Sequence, residues 1–436
     1  MYSRVSLFRT SPPIYMKKDI VVIILAAGKS TRMKSALPKV LHKLCSRPML
    51  GYVLDLVAGL KPKQVVAVLG NQQGLVRKVI PKGIKIVIQK KLIGTADAVK
   101  AGLSALKGFK GTVLVLYGDI PLLKKETLKK LIDYHFENNV DATLLTTTLK
   151  KPFGYGRIMR DKYSSVCGIV EEKDADEVQK DIKEINTGII AFRKDRLAEN
   201  LKYIRPNNRK KEYYLTDIIE ILAKRDYLVD AVKVDDPQEA LGINTRAELA
   251  KANSLMQKTI NDKFMQNGVT IMDPASTFIS FGTKIGADTV IYPFTVIESN
   301  VKIGKRCSVG PFAHLREGVE LKDDVTAGNF IEMVRSRIGV KTFVKHFSYI
   351  ADSSVGSNVN IGAGTVTANF DGIKKNHTII ENNVKIGSDT VIVAPAKIGK
   401  FAVTGAGSVI TKNIPDRTVV VGVPARILTK KRKKNG

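Results

Sequence analysis

From Ile285 onward an aliphatic or small residue returns at every sixth position, through Ile291, Ile297, Ile303, Val309, Leu315, Leu321, Ala327 and Met333. The series slips by one residue at Ile338, Val344 and Ile350, continues at Val355 and Ile361, and resumes at Ile386, Ile392, Ile398, Thr404 and Ile410. Glycine often follows the apolar position, as in Ile303-Gly304 and Ile398-Gly399. A β-sandwich gives period two and irregular turns, whereas a six-residue period with small corner residues predicts a parallel β-helix whose stacked side chains fill its interior. The phase break between Thr367 and Ile386 predicts a loop thrown out of the stack, and such insertions commonly lie on a binding face.

The first half has a different rhythm. Apolar runs at Val21–Leu25, Gln64–Leu69, Ile84–Ile88, Thr112–Leu116, Ala142–Thr146 and Ile189–Phe192 are separated by amphipathic stretches such as Ala96–Leu106 and Glu126–Phe136. This alternation predicts an α/β domain with a mostly parallel, Rossmann-like sheet, and its ligands belong at the carboxyl ends of the strands. Thr245-Arg-Ala-Glu248 reads as a capping box opening a helix to Gln266, with Gly268 as its stop. The expected order is an extension (1–18), the α/β domain (19–244), a linker helix (245–268), a left-handed β-helix (269–429) and a basic tail (430–436). Met16, followed by Lys17-Lys18-Asp19, offers an alternative start.

Chemistry concentrates at the strand ends. Leu25, Ala26, Ala27 and Gly28 close the first apolar run with small residues that let backbone approach a nucleotide, and Lys29, Arg32 and Lys39 follow to hold phosphate oxygens. Neither the Walker A pattern nor the dinucleotide fingerprint is present. Tyr117, Gly118 and Asp119 end another apolar run, and a carboxylate there suits a hard cation such as Mg²⁺. Asn244 reads either as a second oxygen ligand or as the entry residue of the helix.

The opening Leu25–Met33 signature with Pro38-Lys39 resembles the sugar-phosphate nucleotidylyltransferases. Further matches are Gln89 with Gly94-Thr95, Gly154-Tyr-Gly-Arg157, Gly168-Ile-Val-Glu-Glu-Lys173, Glu184-Ile-Asn-Thr-Gly188 and Glu212-Tyr-Tyr-Leu-Thr-Asp217. Together with the hexapeptide repeat they make residues 19–429 similar to the bifunctional bacterial N-acetylglucosamine-1-phosphate uridylyltransferase/glucosamine-1-phosphate N-acetyltransferase family. The resemblance implies that Gln89, Gly94 and Thr95 read uracil. It also implies that Gly156, Glu171, Asn186 and Thr216 hold the sugar phosphate, and that UTP and Mg²⁺ meet at the first site.

In the second half Gly310-Pro-Phe-Ala-His-Leu-Arg316, Gly328-Asn-Phe-Ile-Glu332, His346-Phe-Ser-Tyr349, Asn358–Thr365 and Asn369-Phe-Asp-Gly372 resemble the acetyltransferase half of that family. By that resemblance His346 is the general base toward acetyl-CoA, a task suited to imidazole. Arg316 would bind the sugar phosphate, Glu332, Tyr349, Asn360 and Asn369 would orient the sugar, and Ala363, Ser388 and Ala406 would line the acetyl-CoA site. The family's β-helices trimerise, so a homotrimer is implied.

The chain departs from the pattern at three places. Val334 stands where the family carries a phosphate-binding Lys, with Arg335 beside it as a substitute; Phe370 replaces a Tyr; and the end reads Gly422-Val-Pro-Ala-Arg426 without the Arg expected for coenzyme A. The implied function is synthesis of UDP-N-acetylglucosamine for cell-envelope polysaccharide by acetyl transfer and then uridylyl transfer. The alternatives are a uridylyltransferase with a structural or regulatory β-helix, and a non-catalytic scaffold of the same two folds.

Net charge is +30, and nucleotides, sugar phosphates and coenzyme A answer it as fully as nucleic acid does, so anionic small molecules are the expected partners. No apolar run is long enough to cross a membrane and the first residues lack a signal-peptide core, so a cytoplasmic location is expected. Cys45, Cys167 and Cys307 form no metal-binding spacing and read as buried, inert thiols.

Overall fold

A computed structural model describes residues 18–28, 31–70 and 73–428. The expected extension, apart from Lys18, and the basic tail lie outside the described residues, as does Lys29. The chain divides into two compact units, one running to Lys43 and again over Pro48–Leu249, the other made of Leu44–Arg47 and residues from Ala250 on.

The first unit is built on a twisted sheet in the order Val229–Lys233, Ala142–Thr148, Glu184–Arg193, Thr112–Tyr117, Ile20–Ala26, Gln64–Leu69, Lys85–Ile88. Ile20–Ala26 sits between two parallel neighbours and is covered on both faces. Val22, Ile24, Leu114 and Leu116 enter one apolar core and Val21, Ile23, Val113 and Val115 the other, which is why these strands read as unbroken apolar runs. Glu184–Arg193 runs antiparallel to both of its neighbours. Its register shifts between Asn186 and Ile190, around Gly188 at φ 82°, where a Cβ would lie 2.5 Å from the Tyr117 ring.

The second unit is a left-handed parallel β-helix of three sheets formed by short strands. Strands pair in register one coil apart, so Ile291 meets Val309, Ile297 meets Leu315 and Ile303 meets Leu321, and the six-residue series fills one continuous core. From Met333 the coils shorten. Arg306 and Asp324 hydrogen-bond across 18 residues, Arg335 and Asp352 across 17, and the missing residue falls at the corner between Met333 and Ile338 and again, one coil on, between Ile350 and Val355. The loop expected within 367–386 is narrower, running from Asn369 to His377 between strands Val366–Ala368 and Thr378–Ile380. Its turn is held by the Asp371 carboxylate, which accepts from the Ile373 and Lys374 N–H groups and from Asn376 Nδ2.

The helix Arg246–Gln266 begins in the first unit, and from Ala250 it belongs to the second. There Ile260, Phe264 and Met265 pack on the aliphatic stack. Buried Asn261 donates to the Pro274 and Thr277 carbonyls and Gln257 to that of Ile279, satisfying backbone oxygens at the start of the solenoid. All three cysteines are free thiols; Cys45 and Cys307 are buried, while Cys167 is only half-buried, on a strand, Val166–Val170, that is paired on one side only.

Leu315 is fully buried in the stack. Leu315→Ala is expected to destabilise the second unit by about 2–5 kcal/mol, read as a lowered thermal or denaturant midpoint.

Candidate active sites

At the carboxyl end of Ile20–Ala26 the chain turns toward Arg32 and Lys39, and at the end of Thr112–Tyr117 it delivers Asp119. The Gly118 N–H donates to the Leu25 carbonyl at 3.0 Å, which locks these strand ends together. Asn244 arrives from the other side, tied by the Ile243 N–H to the Asp119 carbonyl at 3.0 Å. The capping box forms: Glu248 N–H donates to Thr245 Oγ1 and Glu248 Oε2 accepts from the Thr245 N–H. Glu248 also accepts from the Asn244 N–H at 2.6 Å, so the device that starts the helix also fixes Asn244.

Four side chains then converge. Arg32 Nη2 and Lys39 Nζ donate to Asn244 Oδ1 at 2.7 and 3.0 Å, and Lys39 makes an ion pair with Asp119, which is only 8% exposed. The Lys39 ammonium thus lies between a carboxylate and an amide oxygen, a pair of hard donors that gathers positive charge. Among the described residues no group of three or more His, Cys, Asp or Glu side chains is placed to hold a metal. One carboxylate and one amide oxygen nonetheless fit Mg²⁺, which keeps most of its shell for water and substrate phosphates.

A second cluster surrounds Gln89, whose Nε2 donates to the Gly94 carbonyl and to Asp97 Oδ2, both at 3.0 Å. Thr95 Oγ1 accepts from the Leu215 N–H at 2.9 Å. Gly94 has φ 134°, and a Cβ there would stand 2.2 Å from the Tyr213 carbonyl oxygen, so this segment approaches more closely than any side chain permits. A third cluster joins Gly156, whose carbonyl accepts from the Asn186 N–H at 2.9 Å, with Glu171 Oε1, which accepts from Thr216 Oγ1 at 3.0 Å. Tyr117 links all three groups. Burial drives its phenol well above the usual range, with the Glu171 and Asp119 charges adding to the shift and a hydrogen bond to Thr95 opposing it. The half-buried Tyr117 is thus coupled to one residue of each group, Thr95, Glu171 and Asp119.

In the second unit Arg316, Glu332 and Tyr349 follow one another along one sheet, with Arg316 Nη1 donating to Glu332 Oε1 at 2.8 Å. Glu298 stands 3.9 Å from Arg316 Nε and 3.0 Å from His314 Nε2. His346 ends a strand of the neighbouring sheet, beside Asn329, whose Oδ1 lies 3.0 Å from His346 Nδ1. An amide oxygen only accepts, so Nδ1 carries the proton and Nε2 offers its lone pair. The motif Gly328–Glu332 contains Asn329, but nothing in the sequence gives it a role, because its pairing with His346 follows only from the coil register. Asn360 lies on the outer face of the His346 sheet, in register with Phe343, apart from the Arg316 face. Asn369 is buried and donates to Asp352. Ala363, Ser388 and Ala406 follow Gly362, Gly387 and Gly405 at successive corners, where the Asp389 N–H donates to the Ala363 carbonyl and the Gly407 N–H to that of Ser388.

Residues 22–179 match the MobA-like NTP transferase domain family, and residues 282–326 and 377–412 match the bacterial transferase hexapeptide family. The bifunctional protein GlmU of Thermosipho africanus is 44% identical to this chain, covering 95% of it and 98% of the relative. The chain belongs to the bifunctional GlmU family. GlmU proteins of Lactococcus lactis and Carboxydothermus hydrogenoformans are 43% and 41% identical over 92% of the chain, spanning 94% and 96% of their own lengths. Both halves of a GlmU protein are thus present, and Val334, which departs from the family pattern, is buried at 3% exposure.

Asp217 sits among Glu171, Glu220 and Asp174, and burial together with these like charges raises its carboxyl from 3.8 to about 6. A raised carboxyl leaves stability untouched below the unfolded value and costs progressively more up to the folded one. Asp217→Asn is therefore expected to raise the thermal midpoint above about pH 6, with the gain vanishing below about pH 4, as a pH series of melts would record.

Proposed function

We propose that the chain makes UDP-N-acetylglucosamine by two transfers, one in each unit. It is a bifunctional enzyme with a nucleotidyltransferase half and a hexapeptide acyltransferase half. Acetyl-CoA first acetylates the amine of glucosamine-1-phosphate, and UTP then uridylylates N-acetylglucosamine-1-phosphate with release of pyrophosphate. The observation that carries the first site is the convergence of Arg32, Lys39, Asp119 and Asn244 at two strand ends.

In the uridylyl step a sugar-phosphate oxygen attacks the α-phosphorus of UTP, a new P–O bond forms, and the bond to the bridging oxygen breaks as pyrophosphate departs. The nucleophile is already an anion, so no base is needed and alignment with charge neutralisation supplies the rate. Arg32 and Lys39 hold phosphate oxygens, joined by Lys29, and the small backbone of Leu25–Gly28 lets the triphosphate approach. Gln89, Gly94 and Thr95 take the base, Gly156, Glu171, Asn186 and Thr216 the sugar, and Tyr117 with Gly118 forms the floor between them. Asp119 and Asn244 would hold Mg²⁺, which when bound adds positive charge against the phosphates.

In the acetyl step the glucosamine nitrogen attacks the thioester carbonyl, His346 Nε2 takes the proton, and coenzyme A leaves as the thiolate. Asn329 holds the imidazole in the tautomer this needs. Arg316, Glu332, Tyr349, Asn360 and Asn369 receive the sugar phosphate, and the small-residue corners Ala363, Ser388 and Ala406 receive acetyl-CoA. Because Asn360 and the Arg316 row occupy different faces of the coil, the reading includes a homotrimer in which neighbouring chains complete each acetyl-transfer site. Among the described residues no helix is long and apolar enough to cross a membrane. UTP and acetyl-CoA are metabolites of the cytoplasm, where the reading places the enzyme.

Asp119→Asn is expected to lower uridylyl transfer by roughly 10²–10³-fold in a pyrophosphate-release assay while acetyl transfer persists. His346→Ala is expected to lower acetyl transfer by roughly 10²–10⁴-fold, followed as free thiol from acetyl-CoA, with uridylyl transfer intact. Pyrophosphate release at the unmutated rate by Asp119→Asn would refute the assignment of the first site.

A further inference from the structure

The hairpin of Arg157–Arg160 and Val166–Val170 carries the Gly156 and Glu171 side of the sugar cluster, yet one register pair, Ile185 opposite Arg157, joins it to the sheet. Arg157 also stands opposite Val170, so Gly156 and Glu171 fall side by side at the open end of the hairpin ladder. A Cβ at Gly156 would lie 3.5 Å from the Glu171 carboxylate. That open end needs a further tether. Arg157, a cation only 2% exposed, supplies it: Nη2 donates to Glu172 Oε2 at 2.7 Å, Nη1 to the Tyr155 carbonyl, and Nε and Nη2 to the Lys180 carbonyl at 3.4 Å. Glu172 Oε2 accepts in addition from the Gly154 N–H at 3.1 Å.

We propose that Arg157 and Glu172 are the positioning residues of the acceptor half of the first site, holding Gly156 against Glu171 and so setting the affinity for the phosphorylated sugar. The inference rests on the uridylyl-transfer reading above.

The contacts bracket both sugar residues. Tyr155 precedes Gly156 and Glu172 follows Glu171, so one guanidinium fixes the backbone on one side and a side chain on the other. The Asp174 and Ala175 N–H groups donate to the Glu171 carbonyl, which closes a turn whose far end is held by Arg157 at Lys180. A shift of the pair therefore moves Gly156 and Glu171 relative to each other. The nucleotide side is held by other means: Gln89 by the Gly94 carbonyl and Asp97, and Arg32 and Lys39 by Asn244. A covered ion pair is a weak device for stability, since apolar residues of similar volume serve as well, whereas a planar guanidinium with donors on several sides fixes geometry.

Arg157→Ala would strand a covered carboxylate, so the test uses Arg157→Lys and Glu172→Gln in the full-length protein. Pyrophosphate release gives KM for UTP and for N-acetylglucosamine-1-phosphate, and calorimetry gives Kd for UDP and for UDP-N-acetylglucosamine. Arg157→Lys, which cannot reach Glu172 and both carbonyls at once, is expected to raise KM for the sugar phosphate by roughly 10-fold, toward the ~10²-fold that a misplacement of about 1 Å can cost. It should also erase most of the affinity by which UDP-N-acetylglucosamine exceeds UDP. KM for UTP and Kd for UDP should stay within about twofold of the unmutated values, because the nucleotide contacts are untouched. Glu172→Gln keeps an acceptor for the Gly154 N–H and should show the same split at smaller amplitude; it decides the matter if Arg157→Lys no longer binds UDP and has lost its fold. An unchanged KM for the sugar phosphate, or equal losses for sugar and nucleotide, overturns the proposal in favour of a pair that only stabilises the hairpin. If the unmutated protein releases no pyrophosphate from UTP and the sugar phosphate, the uridylyl-transfer reading fails. The UDP-N-acetylglucosamine increment then decides the positioning role, its loss in the variants sustaining it and its absence from the unmutated protein overturning it.

Discussion

A solenoid whose interior is one side chain wide has to put an apolar group at the same angle in every coil. Ile291 on Val309, Ile297 on Leu315 and Ile303 on Leu321 meet that demand, and the pairing leaves no freedom in register, since a shift by one residue would turn the stack outward. Everything chemical in the second unit is consequently displaced to outer faces and corners. His346 stands at a strand end, Arg316 just after one, and Arg335 and Asp352 at a bend. The helix that runs in from the first unit spends two buried amides, Gln257 and Asn261, on carbonyls that the first coil cannot pair with a preceding one.

The first unit, the nucleotidyltransferase half, solves a different problem, bringing charged side chains from distant parts of the chain together while keeping the framework rigid. Parallel strands buried on both faces supply the rigidity, and their carboxyl ends supply the positions. Tyr117 ties that arrangement together electrostatically, because its phenol feels Glu171 and Asp119 and is hydrogen-bonded to Thr95. Closeness is enforced by glycine at two points, Gly94 against Tyr213 and Gly188 against Tyr117. At both, the left-handed backbone and the lack of room select the same residue.

What could be read from the chain without coordinates follows from how local each signal is. The aliphatic period is local and repeated, so the solenoid is visible, slip included. Buried parallel strands such as Thr112–Tyr117 are visible as apolar runs. The strand Val229–Lys233 and the hairpin Arg157–Arg160 with Val166–Val170 are not among the expected strands, because the first two are interrupted by charge and the third is short and broken by Gly168. The antiparallel direction of Glu184–Arg193 leaves no mark on composition at all. At the first site the residue types announced phosphate chemistry, but the contact of Lys39 with both Asp119 and Asn244 joins residues 205 apart in the case of the asparagine. Asn329 with His346, and Arg335 with Asp352, are each 17 residues apart, a spacing that acquires meaning only once the coil length is known.

The shortened corner also separates two properties that most enzymes keep entangled. Removing a residue there leaves Leu321 on Ile338 and Met333 on Ile350, so the core is continuous across the deletion while the exterior at that bend is redrawn. Single-residue insertions and deletions at a bend can therefore redraw the outer surface of the solenoid while the stack stays in register, with no compensating change elsewhere.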